Sequence, residues 1–285
     1  PSDTRPDALL ASIQRHRVSV GFGNPDALDA MLGSPAWPAA DLSSIRFILT
    51  GGAPVPERLI RAYLARSVPL LQGYGLSEAA PLALLLDPQR ALERVGSAGT
   101  PPLFVDVRIV RADASDAEPN ETGELLVRGP NVMAGYWRLP DETRRTIVDG
   151  WLHTGDAARL DDDGFAWIVG RVRDAVLIGG RAIHPGEIER VLTAHPDVAD
   201  GAVTASTDGS GSERLVALVV PAAGADIDAP ALTRFCRRRL RPHQVPASIV
   251  FVHELPRNSV GKLDRVRLHA LASDATARER SATDA

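Results

Sequence analysis

The sequence predicts two folded parts, an α/β and β-rich part followed by a smaller α+β part, and three observations support this. Short apolar runs bounded by turn residues alternate with helical patterns through residues 1–94. Through residues 95–170, short β-rich runs alternate with Gly, Pro, Asn and Asp. A charged joint, Gly170-Arg-Val-Arg-Asp174, then precedes a second mixture of helices and strands. We therefore place the domain boundary after residue 170, with the smaller domain at 171–285.

Composition narrows the class of protein. A chain of 285 residues is long enough for two domains, and its 44% hydrophobic and 24% charged residues are typical of a globular protein. The net charge of -4 argues against a nucleic-acid partner. No apolar run approaches the length of roughly 18 residues needed for a membrane span. The single cysteine, Cys236, excludes an intramolecular disulfide and fits a reducing compartment, so we expect a cytoplasmic protein.

The first 94 residues predict a parallel α/β layer, because strands and helices alternate at the spacing of such layers. The predicted elements are helices at 7–16, 26–33 and 56–66, and strands at 18–21, 45–49 and 68–71. Ligands bind such layers outside the carboxyl ends of the strands. Two segments follow strands in this way, Gly51–Pro54 and Gln72–Glu78. They predict a binding site.

The rest of the chain predicts a small distorted β-barrel or sheet and then the α+β part. The barrel is expected from strands at 105–110, 123–127 and 165–169, with a short helix at 141–147. The α+β part is expected from helices at 186–194, 229–240 and 266–272, and strands at 202–205, 215–220 and 249–252. We expect the polar tail after Ser273 to be disordered.

Five motifs stand in one order along the chain: Gln72-Gly-Tyr-Gly-Leu-Ser-Glu78, Gly123-Glu-Leu with Gly135-Tyr-Trp137, His153-Thr-Gly-Asp156, Gly170-Arg171, and Pro256-Arg-Asn-Ser-Val-Gly-Lys262. In this order they resemble the adenylate-forming, AMP-binding superfamily of acyl- and aryl-CoA synthetases, luciferases and peptide-synthetase adenylation domains. The resemblance implies that 1–170 is the carboxyl portion of a large AMP-binding domain. It implies that 171–285 is a small mobile lid domain.

The resemblance implies an ATP-dependent acid–CoA ligase, acting in metabolism such as that of fatty acids. Its partners would be a small carboxylic acid, ATP, Mg²⁺ and CoA. It implies catalytic roles for Lys262, Ser77 and Glu78, a metal ligand in Glu78, a hinge at Arg173, and CoA contacts at Gly179 and Gly180. It implies an ATP/AMP site formed by Gly52, Ala53, Pro54, Gly73, Tyr74, Gly75, Ser77, Asp156, Arg171 and Lys262.

Each of these roles suits the residue type. By resemblance, Tyr74 packs on adenine, Ser77 bonds the α-phosphate and Glu78 holds Mg²⁺, which needs only one or two protein carboxylates. Ser77 and Glu78 also suit a simple helix cap. By resemblance, Asp156 accepts hydrogen bonds from both ribose hydroxyls, although a turn-forming Asp is an alternative.

Lys262 is the only lysine in the chain, and every other basic residue is arginine. A bias toward arginine explains the others but leaves this exception unexplained. A compact ammonium suits a phosphate contact that a planar guanidinium does not fit. We therefore expect Lys262 to act on the reacting phosphate.

One expected motif is missing from the chain. The family has a Ser/Thr/Gly-rich phosphate loop before the region matched here, and no such loop is found in the sequence. We therefore expect this sequence to be the carboxyl half of such an enzyme, with the amino-terminal half as its partner. Two alternatives stay open: a peptide-synthetase adenylation domain, and a non-catalytic remnant that binds nucleotide or a partner.

Overall fold

The computed structural model describes residues 3–53, 55–178, 181–207, 213–257 and 263–283, with side chains described as far as residue 277. The chain divides into two compact units, Pro1–Ile168 and Val169–Ala285. The predicted lid domain at 171–285 stays a prediction, because it concerns movement.

The first unit opens with a four-stranded sheet and three helices. In the sheet order β1-β2-β3-β4, the first three strands are parallel and β4 is antiparallel to β3. This confirms the predicted parallel layer and adds β4, which the sequence analysis missed. The elements are α1 (Pro6–His16), β1 (Val20–Phe22), α2 (Pro25–Leu32), β2 (Phe47–Gly51), α3 (Glu57–Leu64), β3 (Leu70–Tyr74) and β4 (Leu84–Leu86).

Local sequence explains where these helices begin and which side they bury. The Asn24 side chain accepts a hydrogen bond from Ala27 N and caps α2, whose first residue is proline. One apolar cluster joins the helices to the sheet, and it includes Leu10, Leu28, Ile48, Leu59, Ile60, Tyr63 and Leu70. Because the helices bury their apolar residues in this cluster, the ends of the strands stay available for polar contacts.

The second part of the same unit is a five-stranded sheet with the order β5-β6-β8-β7, and β9 pairs with β8. It forms a half-barrel, in agreement with the small β-barrel or sheet that the sequence predicted. Isolated bridges from Leu85 to Thr100 and from Gly99 to Ala166 connect it to β4. The elements are β5 (Asp106–Val110), β6 (Gly123–Arg128), α4 (Pro140–Thr146), β7 (Ile147–Val148), β8 (Trp151–Leu160) and β9 (Ala166–Arg171).

The second unit is α+β, as predicted. A three-stranded sheet pairs β12 antiparallel with β13, and β13 parallel with β14, while β10 and β11 form a two-stranded sheet. β11 was not predicted. The elements are β10 (Val176–Ile178), β11 (Arg181–Ile183), α5 (Pro185–Thr193), β12 (Val198–Thr207), β13 (Glu213–Pro221), α6 (Ala229–Arg237), β14 (Ser248–Phe251) and α7 (Arg265–Thr283).

The prediction of a disordered tail after Ser273 was wrong, because α7 runs from Arg265 to Thr283. Leu268 and Ala272 are fully buried in an apolar cluster with Leu218 and Leu255, which anchors the start of this helix. Ala, Arg and Glu are strong helix formers and favour its continuation. Within the described residues, no helix combines the length and apolarity that a bilayer span requires.

Candidate active site

The carboxyl ends of β2 and β3 lie side by side, as the sequence predicted. Gly51 pairs with Gly73 at the end of the parallel ladder. Gly52 and Ala53, the two residues after β2, are exposed and leave the backbone accessible. Pro54 lies outside the described residues.

Tyr74, the last residue of β3, contacts the second sheet of the same unit. Its hydroxyl donates a hydrogen bond of 2.5 Å to Asp156 Oδ2 on β8. The two residues are 82 positions apart in the chain. An aromatic ring and a carboxylate are therefore brought together at the strand ends, a pairing that suits a base and a ribose.

Asp156 lies in a strand, so the alternative reading of it as a turn residue was wrong. The pairing of β8 with β6 shifts register between Glu124 and Leu126. Because a bulge turns side chains away from the regular alternation, it accounts for where Asp156 points. Bulges of this kind occur next to active sites.

At this bulge, side chains form hydrogen bonds with the backbone N–H and C=O groups. Glu124 Oε1 accepts a hydrogen bond of 3.0 Å from Gly155 N, and its Oε2 lies 2.9 Å from His153 Nδ1. The Thr154 hydroxyl donates to Leu125 O at 2.7 Å and accepts from Asp156 N at 3.0 Å. The His-Thr-Gly-Asp motif and Glu124 thus form one hydrogen-bonded unit that fixes the position of Asp156.

Ser77 and Glu78 begin a single 3-10 turn, Ser77–Ala79, after β3. The residue before the turn is Leu76, and no side chain caps it. The reading of Ser77 as a helix cap is therefore not supported. The Ser77 hydroxyl is exposed and makes no hydrogen bond within the described part of the chain.

Glu78 is half-buried and held by a residue to which the sequence analysis gave no role. The Tyr136 hydroxyl donates a hydrogen bond of 2.8 Å to Glu78 Oε1. Burial, followed by the neighbouring Glu78 carboxylate, raises the pKa of Tyr136 above its ordinary value. Tyr136 therefore stays a neutral donor well above pH 7. The motif Gly135-Tyr-Trp137 contained this residue, but nothing in its spacing indicated Glu78 as the partner.

The side chains at this site fit a magnesium ion that is held mainly by the phosphate oxygens of a bound molecule. Among the described residues, no group of three or more His, Cys, Asp or Glu side chains is arranged to hold a metal ion. Glu78 instead offers a lone carboxylate whose Oε2 has no partner in the described part of the chain. Mg²⁺ is commonly bound by one or two carboxylates with phosphate oxygens and water, so one Glu beside a phosphate site is sufficient.

Of the remaining predicted residues, Gly75 directly follows β3 in the first unit, and the others belong to the second unit or lie outside the described residues. Arg171 ends β9 and is exposed, and Arg173 lies in the 3-10 turn Val172–Asp174 with its side chain 85% exposed. Gly179, Gly180 and Lys262 lie outside the residues that the structure describes. Their roles stay predictions.

Comparisons with known protein families match both parts of the chain. A profile described as AMP-binding enzyme matches residues 1–137, and one described as AMP-binding enzyme C-terminal domain matches residues 187–262. The chain belongs to the AMP-binding enzyme family. The sequence-based resemblance to adenylate-forming enzymes is thereby confirmed.

Individual AMP-binding enzymes resemble the chain closely. A feruloyl-CoA synthase from Amycolatopsis sp is 43% identical over 258 residues, which are 90% of this chain and 52% of that protein. An amide bond synthetase from Marinactinospora thermotolerans matches with a TM-score of 0.85 and 34% identity, over 94% of this chain and 55% of its own. The O-succinylbenzoate coenzyme A synthetase of Bacillus subtilis, in complex with ATP and magnesium ion, matches with a TM-score of 0.82 and 34% identity, over 92% and 54%. The chain thus spans about half the length of the relatives it matches.

Proposed function

We propose that this protein is an ATP-dependent acid–CoA ligase. The observation that carries the proposal is the contact of Tyr74 with Asp156 at the end of β3, with Glu78 four residues further along the chain. In the first step a carboxylate oxygen attacks the α-phosphorus of ATP, and pyrophosphate leaves. In the second step the CoA thiolate attacks the acyl carbon, a thioester forms, and AMP leaves.

The site residues have distinct roles in this proposal. Tyr74 stacks on adenine, Asp156 accepts hydrogen bonds from the ribose hydroxyls, and the exposed Ser77 hydroxyl donates to the α-phosphate. The exposed backbone at Gly52 and Ala53 lets the nucleotide approach closely, and Arg171 supports ribose or phosphate. Mg²⁺ held by Glu78 would supply positive charge against the phosphate oxygens. Such charge stabilisation is usually a large part of the lowering of a barrier.

Lys262 and the second unit act at different steps in the proposal. Lys262 neutralises charge on the α-phosphate while the adenylate forms. The lid domain then rotates about Arg173, and the backbone at Gly179 and Gly180 lines the path of the CoA pantetheine. The cytoplasmic location stays part of the proposal, since Cys236 is a buried free thiol.

The names of two relatives indicate which acid and which acceptors to test first. Among the relatives, one is named for a feruloyl thioester and another for amide bond synthesis. Ferulate is therefore the first acid to supply, and CoA and an amine should be compared as acceptors. A peptide-synthetase adenylation domain would transfer only to a carrier protein. A non-catalytic remnant would bind nucleotide and turn over nothing.

Lys262 provides the test. In the intact protein, Lys262→Ala should reduce pyrophosphate exchange at least about a hundredfold, the scale of losing one charge stabiliser. It should leave the reaction of supplied acyl-adenylate with CoA within a few-fold of wild type. Lys262→Arg should also fail, because a guanidinium is too bulky for a point-charge site.

Two results would contradict the proposal. If Lys262→Arg exchanged pyrophosphate at the wild-type rate, the role of Lys262 would be wrong. If the wild-type protein formed no thioester or amide from any acid in a panel, yet bound ATP, the remnant would be the better description. An exposed arginine of an ion pair, Arg267, serves as the control through Arg267→Gln, which should leave both steps unchanged.

A further inference from the structure

One loop of the first unit, residues 131–136, holds the segment that carries Glu78. Tyr136 bonds the Glu78 carboxylate at 2.8 Å, and Met133 N donates to the Glu78 backbone carbonyl at 2.8 Å. Asn131 Nδ2 donates to Ala79 O at 3.1 Å and to Leu82 O at 3.0 Å. Both the backbone and the side chain of Glu78 are therefore held by the same loop.

The loop is itself fixed by the helix that follows it. Tyr136 N donates a hydrogen bond of 2.9 Å to the Thr143 hydroxyl, which in turn donates to Leu139 O at 2.9 Å. Gly135 has a φ of +147°, and a Cβ there would lie 2.7 Å from the Thr143 methyl. Only glycine fits at 135 without displacing Thr143. Helix α4 thus helps to hold Tyr136 in place through its backbone N–H, at the opposite end of the residue from its bond to Glu78.

The two oxygens of the Glu78 carboxylate have different surroundings. Oε1 accepts from Tyr136, while Oε2 has no partner within the described residues. A carboxylate with one oxygen fixed by a neutral donor cannot rotate freely, so the other oxygen keeps one direction. Partners of this kind orient metal ligands in many proteins.

We propose that Tyr136 is a positioning residue that orients Glu78, so that Glu78 Oε2 receives the divalent cation that accompanies the nucleotide. This rests on the proposed function, in which Glu78 is the metal ligand. Tyr136 itself contacts neither the metal nor the substrate. Its removal should weaken cation binding and leave the nucleotide site intact.

The chain offers a matched control. Its three tyrosines are Tyr63, Tyr74 and Tyr136. Tyr63 is fully buried in the helical core, and its hydroxyl donates to Leu28 O at 2.9 Å. Tyr63→Phe therefore removes the same group and one hydrogen bond from the same unit, away from Glu78.

The experiment uses the intact protein with Mn²⁺ as the probe and a non-hydrolysable ATP analogue. Free Mn²⁺ is measured by electron paramagnetic resonance. Tyr136→Phe should weaken Mn²⁺ binding roughly 10- to 100-fold, the usual effect of losing a group that orients a ligand. Affinity for the analogue without metal should stay within about twofold. Pyrophosphate exchange should show a raised KM for Mg²⁺ and recover at saturating Mg²⁺. Tyr63→Phe should lower Tm and leave Mn²⁺ affinity unchanged.

The Glu78→Gln variant distinguishes a failure of the positioning role of Tyr136 from a failure of the metal role of Glu78. If Glu78→Gln weakens Mn²⁺ binding and Tyr136→Phe does not, the positioning role is overturned and the proposed function stands. If neither variant changes Mn²⁺ binding, the metal role of Glu78 fails as well. Should Tyr136→Phe not fold, Thr143→Val removes the hydroxyl that holds Tyr136 N. It should weaken Mn²⁺ binding in the same direction, and unchanged binding in it would overturn the proposal.

Discussion

The Tyr74 hydroxyl lies 2.5 Å from Asp156 Oδ2, so this carboxylate already has a donor before any nucleotide arrives. A ribose that binds there must share the carboxylate with Tyr74 or displace it. Asp156 Oδ2 can accept more than one hydrogen bond, because a carboxylate has about four acceptor positions. The hydrogen bond from Tyr74 therefore aligns the carboxylate and by itself occupies only one of these positions.

Asp156→Ala should weaken ATP and AMP together and leave CoA affinity nearly unchanged. Losing a charged hydrogen-bond acceptor costs on the order of 1.5–3 kcal/mol. Calorimetric titration of the intact protein with AMP measures this. Asp162→Ala is the control, because Asp162 is an exposed carboxylate in the turn that follows the same strand. Unchanged AMP affinity in Asp156→Ala would remove Asp156 from the site.

At the scale of elements, the loop after β3 depends on a close approach of two backbones. A Cβ at Gly75 would lie 1.4 Å from Pro81 O. A side chain there must push the two segments apart, and Ser77 and Glu78 lie between them. The glycine of this motif therefore serves packing as well as access for a ligand.

Gly75→Ala should destabilise the first unit and displace Ser77 and Glu78. Overpacking of this kind costs about 1–3 kcal/mol and in tight cases more. Urea unfolding should show a lower midpoint, and ATP affinity should fall. Gly33→Ala is the matched control, since Gly33 has a φ of -76° and a Cβ there meets nothing closer than 3.6 Å. Equal stability of the two variants would count against this account.

The 3-10 turn Val172–Asp174 is the element expected to act as a hinge. Arg173→Pro fixes φ near roughly -65° and removes a backbone N–H. In the intact protein it should spare adenylate formation and reduce thioester formation, because only the second step follows the rotation. Pyrophosphate exchange and thioester release measure the two steps. Arg173→Ala, which keeps the backbone free, should retain both. Equal loss of both steps in Arg173→Pro would indicate a folding defect.

At the scale of the whole molecule, the described apolar clusters follow the division into units. Two clusters lie within the first unit, and two within the second. No cluster among the described residues contains members of both. Each unit therefore carries the apolar burial that a domain needs for its own stability.

A cavity created in the core of one unit should lower the stability of that unit and not of the other. Ile188→Ala in the second unit and Leu59→Ala in the first remove fully buried side chains. Each should cost about 2–5 kcal/mol of local stability. Hydrogen exchange followed by mass spectrometry should show faster exchange in the unit that carries the change. Equal acceleration in both units for either variant would contradict separate cores.

Much of the molecule follows from local sequence. The apolar runs and turn residues predict the parallel layer and the α+β part, because burial on one face and capping at helix ends act over a few residues. Because ligands bind outside the carboxyl ends of parallel strands, the sequence also placed candidate site residues there, namely Gly52, Tyr74, Ser77 and Glu78. The family motifs supplied the roles of these residues.

Only the tertiary structure decided which of these residues meet. The partner of Tyr74 is 82 positions away, and that of Glu78 is 58 positions away. No periodicity reports a contact between residues so far apart, because their distance depends on the pairing of whole strands. The bulge that turns Asp156 toward Tyr74 depends on Glu124, which lies on a neighbouring strand. The sequence alone determined the chemical groups of the candidate site. The long-range packing of β3, β6 and β8 determined their geometry.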